Sequence, residues 1–139
     1  MHATAETEFL IGLTQLATKL SKKLENAIWL HGIGFTEFAI MYELARAPEM
    51  TLPRVKLAEI MGLSASGVTR LLAPMEKNHI TERETNPRDA RMSLVKLSRV
   101  GQQLYGEALV SFANVAGEIT AKLSDTQLQK LRKYSSELL

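Results

Sequence analysis

Two short stretches of the chain carry side chains suited to contact with an anionic surface. In "LSASGVTRLLAP", Ser64, Ser66, Thr69 and Arg70 put three hydroxyls and a guanidinium within two helical turns. In "NPRDARMSLVKLS", Asn86 to Ser98, an Asn-Pro turn leads into Arg88, Asp89 and Arg91 and then into a β-prone run. A guanidinium stays charged and presents five donors in a planar fork, and hydroxyls add further donors. Such a set is built to meet an acceptor-rich partner. Asp89 alone has the wrong sign, and its expected role is to hold a neighbouring guanidinium, that of Arg91, in place. Pro87 stiffens the turn by fixing its own φ.

Charge distribution supports the same reading. The 139 residues carry a net charge of only +2. Residues 64–99, however, hold seven basic and four acidic side chains, so the positive charge gathers where the two stretches lie. A local basic patch favours a polyanionic partner. Other chemistries lack their residues. There is no cysteine, hence no disulfide and no thiolate metal site. His2, His31 and His79 are far apart and without acids at ligand spacing, so no metal is expected. No phosphate-cradling glycine loop, nucleophile elbow or paired catalytic carboxylate is visible, so catalysis is not expected. No apolar run suits a membrane span, and "MHATAETEFL" lacks the basic start of a signal peptide, which makes the cytoplasm the default location.

The elements that must position these residues follow from periodicity. Phe9, Leu13, Leu16, Leu20, Leu24, Ala27 and Ile28 mark one stripe of a long first helix that ends at "HGIG". Thr36 is the expected cap of a second helix, with Phe35 stapled onto Ile40 and a buried face of Ile40, Met41, Leu44 and Ala45. A third helix starts around Pro53 and stops at Gly62. Ser64 caps a fourth, whose inner face is Val68, Leu71, Leu72 and Met75 and whose outer face is Ser66, Thr69, Arg70, Ala73 and Lys77. Two strands are expected over Ile80–Thr85 and Met92–Leu97, with Val95 and Leu97 facing inward. Ser98 opens a long fifth helix with Leu104, Ala108, Phe112, Val115 and Ile119 on one stripe. A capping box of Ser124 and Gln127 opens the last helix, expected to bury Leu128, Leu131 and Leu138.

Helix, glycine turn and small-faced basic helix have the proportions of a helix-turn-helix, whose second helix enters the DNA major groove. Arg70 then suits the guanine O6 and N7 pair, and the hydroxyls of Ser64, Ser66 and Thr69 suit phosphate oxygens. The hairpin becomes a wing whose Arg88 and Arg91 reach the adjacent minor groove, where potential is most negative. Taken singly, each feature describes an ordinary solvated surface. Their order along the chain, together with the gathered charge, favours DNA. Trp29, Phe38, Met41 and Tyr105 could line an effector pocket, but core or interface packing is the simpler assignment for them.

The stretch "LAEIMGLSASGVTRLLAPMEKNHITERETNPRDARMSLVKLSRVG" resembles the winged helix of the MarR (multiple antibiotic resistance regulator) transcription factors. The likeness rests on "LAEIMGLS", "VTRLL", the Asp-x-Arg of Asp89-Ala90-Arg91 and "VKLSRVG", and the long flanking helices agree. It implies a mainly α fold: one domain over 1–139, with a winged helix at about 36–98, a two-stranded wing, and dimerisation helices at about 4–31 and 99–139. It also implies a homodimeric transcriptional regulator, a ligand-responsive repressor, on a near-palindromic double-stranded operator. No cofactor is implied, only a small-molecule effector in a crevice beside the dimer interface. The alternative from another class is a winged helix used for protein contact, with little DNA affinity. Two positions depart from the family pattern: His79 stands where glycine is usual, and Pro74 lies inside the recognition helix, where a kink is expected.

Some regulators of this kind sense oxidants through cysteine, and this chain has none. DNA binding is therefore expected to be unchanged by peroxide too dilute to oxidise methionine. A thiol-reversible loss of binding in a gel-shift assay would contradict this.

Overall fold

The computed structural model describes all 139 residues. Six helices and three short strands follow one another: α1 (Ala5–Ile28), α2 (Phe35–Arg46), β1 (Thr51–Pro53), α3 (Arg54–Met61), α4 (Ala65–Lys77), β2 (Thr81–Asn86), β3 (Asp89–Leu97), α5 (Arg99–Ile119) and α6 (Asp125–Ser136). No helix is long and apolar enough to cross a membrane. The core lies where α2, α3, α4 and the sheet meet α5. Ile28, Ile40, Met41, Leu44, Leu57, Val68, Leu72, Met75, Val95, Leu97 and Ala108 are all buried there.

Most helix boundaries follow local capping chemistry. The Ser64, Ser98 and Ser124 hydroxyls accept from the backbone N–H three residues on, and the Ser124–Gln127 capping box is complete. Gly62 ends α3 in the left-handed region at φ 65°, as the helix-turn-helix turn requires. The start of α2 differs from expectation. Its cap is Gly34, not Thr36. The Glu25 carboxylate of α1 reaches over and accepts from the Phe35 N–H at 2.8 Å, doing from a distance what a capping side chain does locally. Phe35 turns toward α5, where its ring stacks on Phe112 at 6.3 Å. Glu37, in the same first turn, is half-buried. Burial pushes its carboxyl above the usual range, a backbone hydrogen bond at Gly34 opposes this, and the nearby Glu25 charge adds to it.

The sheet has three strands in the order β1-β3-β2, one more than expected. β1 pairs antiparallel with the base of β3, with Leu52 opposite Val95. Register between β2 and β3 runs evenly from Thr81 opposite Leu97 to Thr85 opposite Ser93, then slips so that Asn86 faces Asp89. β3 therefore starts at Asp89, three residues before the expected Met92, and the irregularity lies at the hairpin tip. Val95 and Leu97 are buried as expected, while Met92 is exposed.

α4 runs unbroken through Pro74 to Lys77. Pro74 cannot donate to the Arg70 carbonyl, but both residues lie on the exposed side of the helix, where water can satisfy that oxygen. His79 follows in the left-handed region at φ 60°. The chain then returns through Ile80, whose carbonyl meets the start of α5. That carbonyl accepts from the Ser98 N–H at 3.0 Å and from the Ser98 hydroxyl at 2.9 Å. The Ser98 hydroxyl also approaches the His79 carbonyl and accepts from the Gly101 N–H at 2.9 Å. A Cβ at Gly101 would overlap the Ile80 carbonyl oxygen, so only glycine lets α5 sit this close.

α6 buries none of its residues within the chain. Leu128, Leu131 and Leu138, expected to be buried, are 37%, 50% and 47% exposed. The first half of α1 behaves alike, with Phe9 and Leu16 at least half exposed. The apolar stripes are present, but nothing inside one chain covers them.

Two substitutions test this joint in opposite directions. His79→Gly removes the Cβ strain of the left-handed region, at some cost in chain entropy, and should stabilise the fold by about 0.5–1 kcal/mol. Gly101→Ala sets a methyl against a backbone oxygen that cannot turn aside and should destabilise by at least about 2 kcal/mol. Urea unfolding at matched protein concentration measures both. A neutral Gly101→Ala would contradict the packing described.

Candidate nucleic-acid interface

α4 is amphipathic in the sense the sequence predicts. Val68, Leu72 and Met75 are buried, and Ser66, Thr69, Arg70 and Ala73 are exposed on the other side. The helix is presented at its N-terminus by the Ser64 cap, whose Oγ accepts from the Gly67 N–H at 3.1 Å. Ser64 Oγ and Ser66 Oγ also share a hydrogen bond of 3.1 Å. One of their two hydroxyl hydrogens is thereby used and one is left for an outside acceptor.

Thr69 is different from what was expected. Its hydroxyl donates to the Ala65 carbonyl at 3.0 Å and accepts from Arg54 Nη2 at 3.2 Å. In the chain without DNA its only hydrogen is turned back onto the helix, whereas the expected phosphate contact needs that hydrogen turned outward. Arg54 is a residue that reading the sequence missed. From the first position of α3 it spans to α4, and its Nη1 also bonds Glu76 Oε1 at 2.9 Å. The Arg54 side chain is only 12% exposed, so this pair is partly shielded from water and ties the two helices of the motif together. Periodicity gives no hint of it, because Arg54 and Glu76 are 22 residues apart.

The wing tip is stiffened by two side-chain-to-backbone bonds. Asn86 Oδ1 accepts from the Arg88 N–H at 2.9 Å, and Asp89 Oδ1 accepts from the Arg91 N–H at 3.0 Å. Asp89 was expected to hold the Arg91 guanidinium. It holds the Arg91 backbone instead and forms no ion pair. Asp89 is thus a turn-former, and its presence on a basic surface has a local conformational reason. Arg88 and Arg91 are exposed and unpaired. Arg70 is likewise exposed and unpaired. Arg83, which the sequence reading passed over, lines an open notch with Arg91 and Ser93, about 250 Å³ in volume, on the wing. It stands opposite Val95 in the β2–β3 register, and its charge within the basic middle third was the available signal.

The structure therefore separates two groups of arginine. Arg54 is committed to internal contacts. Arg70, Arg88 and Arg91 keep their forks free. Their fixed surroundings are the helix face and the bonded wing turn, and no carboxylate in either forms an ion pair with them.

The residues considered for an effector pocket do not line a common cavity. Phe38 and Met41 are core residues, and Tyr105 packs its ring 5.5 Å from that of Phe38. Burial raises the Tyr105 hydroxyl above its usual range, assisted by Tyr42 and opposed by the Arg46 charge. Trp29 is 68% exposed. His31 donates or accepts at 2.8 Å with Ser111 on α5, an ordinary structural contact.

An exposed, basic second helix after a glycine turn, flanked by a β-hairpin with free arginines at its tip, defines a winged helix-turn-helix protein. Residues 35–93 match the model of the MarR family, the span that runs from α2 to the middle of the wing. The helix-turn-helix and most of the wing are thus similar to that family. It is 28% identical over 120 residues to the HTH-type transcriptional regulator YhbI of Bacillus subtilis, covering 86% of this chain and 77% of the relative. It is 27% identical over 131 residues to the transcriptional repressor MprA of Escherichia coli, covering 91% and 74%. The fold is similar to that of Sco3205, a MarR family transcriptional regulator from Streptomyces coelicolor solved in complex with DNA. That match has a TM-score of 0.87 at 21% identity and covers 99% of this chain and 91% of the other.

Proposed function

We propose that the chain regulates transcription by binding duplex DNA as a two-fold homodimer. α4 enters the major groove of each half-site, and the wing reaches the flanking minor groove. The observation that carries this reading is the set of unpaired guanidiniums of Arg70, Arg88 and Arg91 on one small-faced helix and one stiffened turn. An ordinary solvated surface has no reason to brace a turn with Asn86 and Asp89 and leave its arginines without partners. The names of the relatives agree: MprA is a repressor, and Sco3205 was solved on DNA. Repression is the corresponding mode of action for this chain.

Sites divide by role. Arg70, projecting from the middle of α4, supplies base-edge contact, best with guanine. Ser64 and Ser66, at the positive end of the α4 dipole, supply phosphate contact. Arg88 and Arg91 read potential and groove width. Asp89 shapes the wing turn that carries them. Dimerisation follows from the uncovered stripes of α1 and α6, since exposed apolar surface on this scale marks an interface. A two-fold pair of recognition helices then requires a near-palindromic operator with half-sites about 34–36 Å apart.

Arg70→Ala should cost about 1–3 kcal/mol and relax preference at one base pair in each half-site. Arg91→Ala should weaken binding evenly across sequences and flatten the salt dependence by about one unit of slope per charge removed. Operator titrations across a salt series, with circular dichroism of each variant, measure both. Wild-type affinity in two folded variants would overturn the assignment. For assembly, light scattering at micromolar concentration should give the dimer mass. A monomer that binds its operator fully would contradict the two-fold arrangement.

A further inference from the structure

Thr69 occupies the exposed face of α4 next to Arg70, yet its polar atom is held from two sides. The hydroxyl hydrogen goes to the Ala65 carbonyl, one turn back, at 3.0 Å. The oxygen is covered by the Arg54 guanidinium at 3.2 Å. Arg54 cannot easily swing away, because Glu76 holds its other nitrogen at 2.9 Å and the side chain is largely shielded. With the oxygen engaged on both sides, the γ-methyl is the part of this exposed side chain left to meet a partner. A methyl carried into the major groove has one matching feature there, the C5-methyl of thymine. We propose that Thr69 reads a thymine in each half-site through its γ-methyl, and that Arg54 is the positioning residue that holds it in that rotamer. The proposal rests on the DNA-binding reading above and goes further, because it assigns a base and an atom to a side chain whose hydroxyl would ordinarily be taken as the reader.

The geometry makes distinct demands on each substitution. Serine keeps the hydroxyl and both of its bonds but has no γ-methyl. Valine keeps a methyl in the same place, held by the strong rotamer preference of a β-branched residue in a helix, and has no hydroxyl. A hydroxyl reader would survive the change to serine and fail with valine. A methyl reader does the reverse.

The test starts from operators selected from a random duplex pool by the wild-type protein. Each thymine is then replaced in turn by deoxyuridine, which keeps O4 and the base pair and removes only the methyl. One thymine in each half-site should be sensitive. Its replacement should weaken binding about threefold to fivefold, and about tenfold or more when both half-sites are changed, as expected for loss of a buried methyl contact. Thr69→Ser should bind thymine and deoxyuridine operators equally at that position, whereas Thr69→Val should retain the difference. Arg54→Met, checked for native helical content, should reduce the difference there and leave any sensitivity at other thymines untouched, which a general loss of stability would not do. A wild-type protein indifferent to every replacement, a Thr69→Ser protein that keeps the difference, or a Thr69→Val protein that loses it would overturn the proposal while leaving DNA binding intact. An unchanged ratio in Arg54→Met would overturn the role of Arg54. Failure to enrich any sequence from the pool would overturn the DNA-binding reading itself, and this proposal with it.

Discussion

The carbonyl of Ile80 is the point on which the arrangement of this protein turns. It is buried at the junction of the recognition helix, the wing and α5, and it accepts two hydrogen bonds from one residue, Ser98. A buried carbonyl left without partners would cost about 1–3 kcal/mol, so the return of β3 to this place is strongly specified. The same serine caps α5 through the Gly101 N–H. Gly101 has no Cβ because the Ile80 oxygen occupies the space where one would go. His79 must adopt positive φ for the chain to leave α4 and reach the joint at all. Four residues therefore fix how α5 departs from the DNA-reading unit. If α5 and the bare stripes of α1 and α6 meet a second copy, this joint sets where the second recognition helix stands relative to the first.

Charge is managed by the same division between inner and outer contacts. The basic residues of the middle third could have formed ion pairs with the four acids among them. Few do. Lys96 lies 3.7 Å from Glu84 on the flank of the wing, and the pair is well solvated. Asp89 is occupied with a backbone N–H. Glu76 is taken by Arg54. None of these acids forms an ion pair with Arg70, Arg88 or Arg91, and the unpaired guanidiniums stand on one helix face and one turn. Exposed charges of this kind steer encounter and fix register, and their effect weakens with salt. Discrimination among sequences must come from side chains whose geometry is fixed, which is where the tie between α3 and α4 matters.

Much of this was legible in the sequence, and the failures share a cause. Ser64, Ser98 and the Ser124–Gln127 box act on neighbours three residues away, so local pattern was sufficient to find them. The inner face of α4 followed from helical period in the same way. Features that depend on distant partners could not be seen. β1 is three residues long and exists because β3 lies beside it. The cap of α2 comes from Glu25, ten residues earlier and on another helix, so the local candidate, Thr36, was the wrong one. The slip at the wing tip moved the start of β3 and gave Asp89 a backbone partner where a side-chain partner was expected. The hydrogen of Thr69 goes to Ala65, only four residues back, whereas its Arg54 partner lies 15 residues away and was beyond local pattern. Leu128, Leu131 and Leu138 have the right spacing for burial, but one chain provides nothing to cover them.

The proposed binding mode sets α4 in the major groove and the wing in the minor groove of the same duplex. Protection from dimethyl sulfate reads both at once, since the reagent attacks guanine N7 in the major groove and adenine N3 in the minor groove. On a selected operator, this binding mode should give two clusters of protected guanine N7 about one helical turn apart, each flanked on its outer side by protected adenine N3. Protection of adenine N3 alone, or no protection of either atom by protein that is folded and bound, would contradict it.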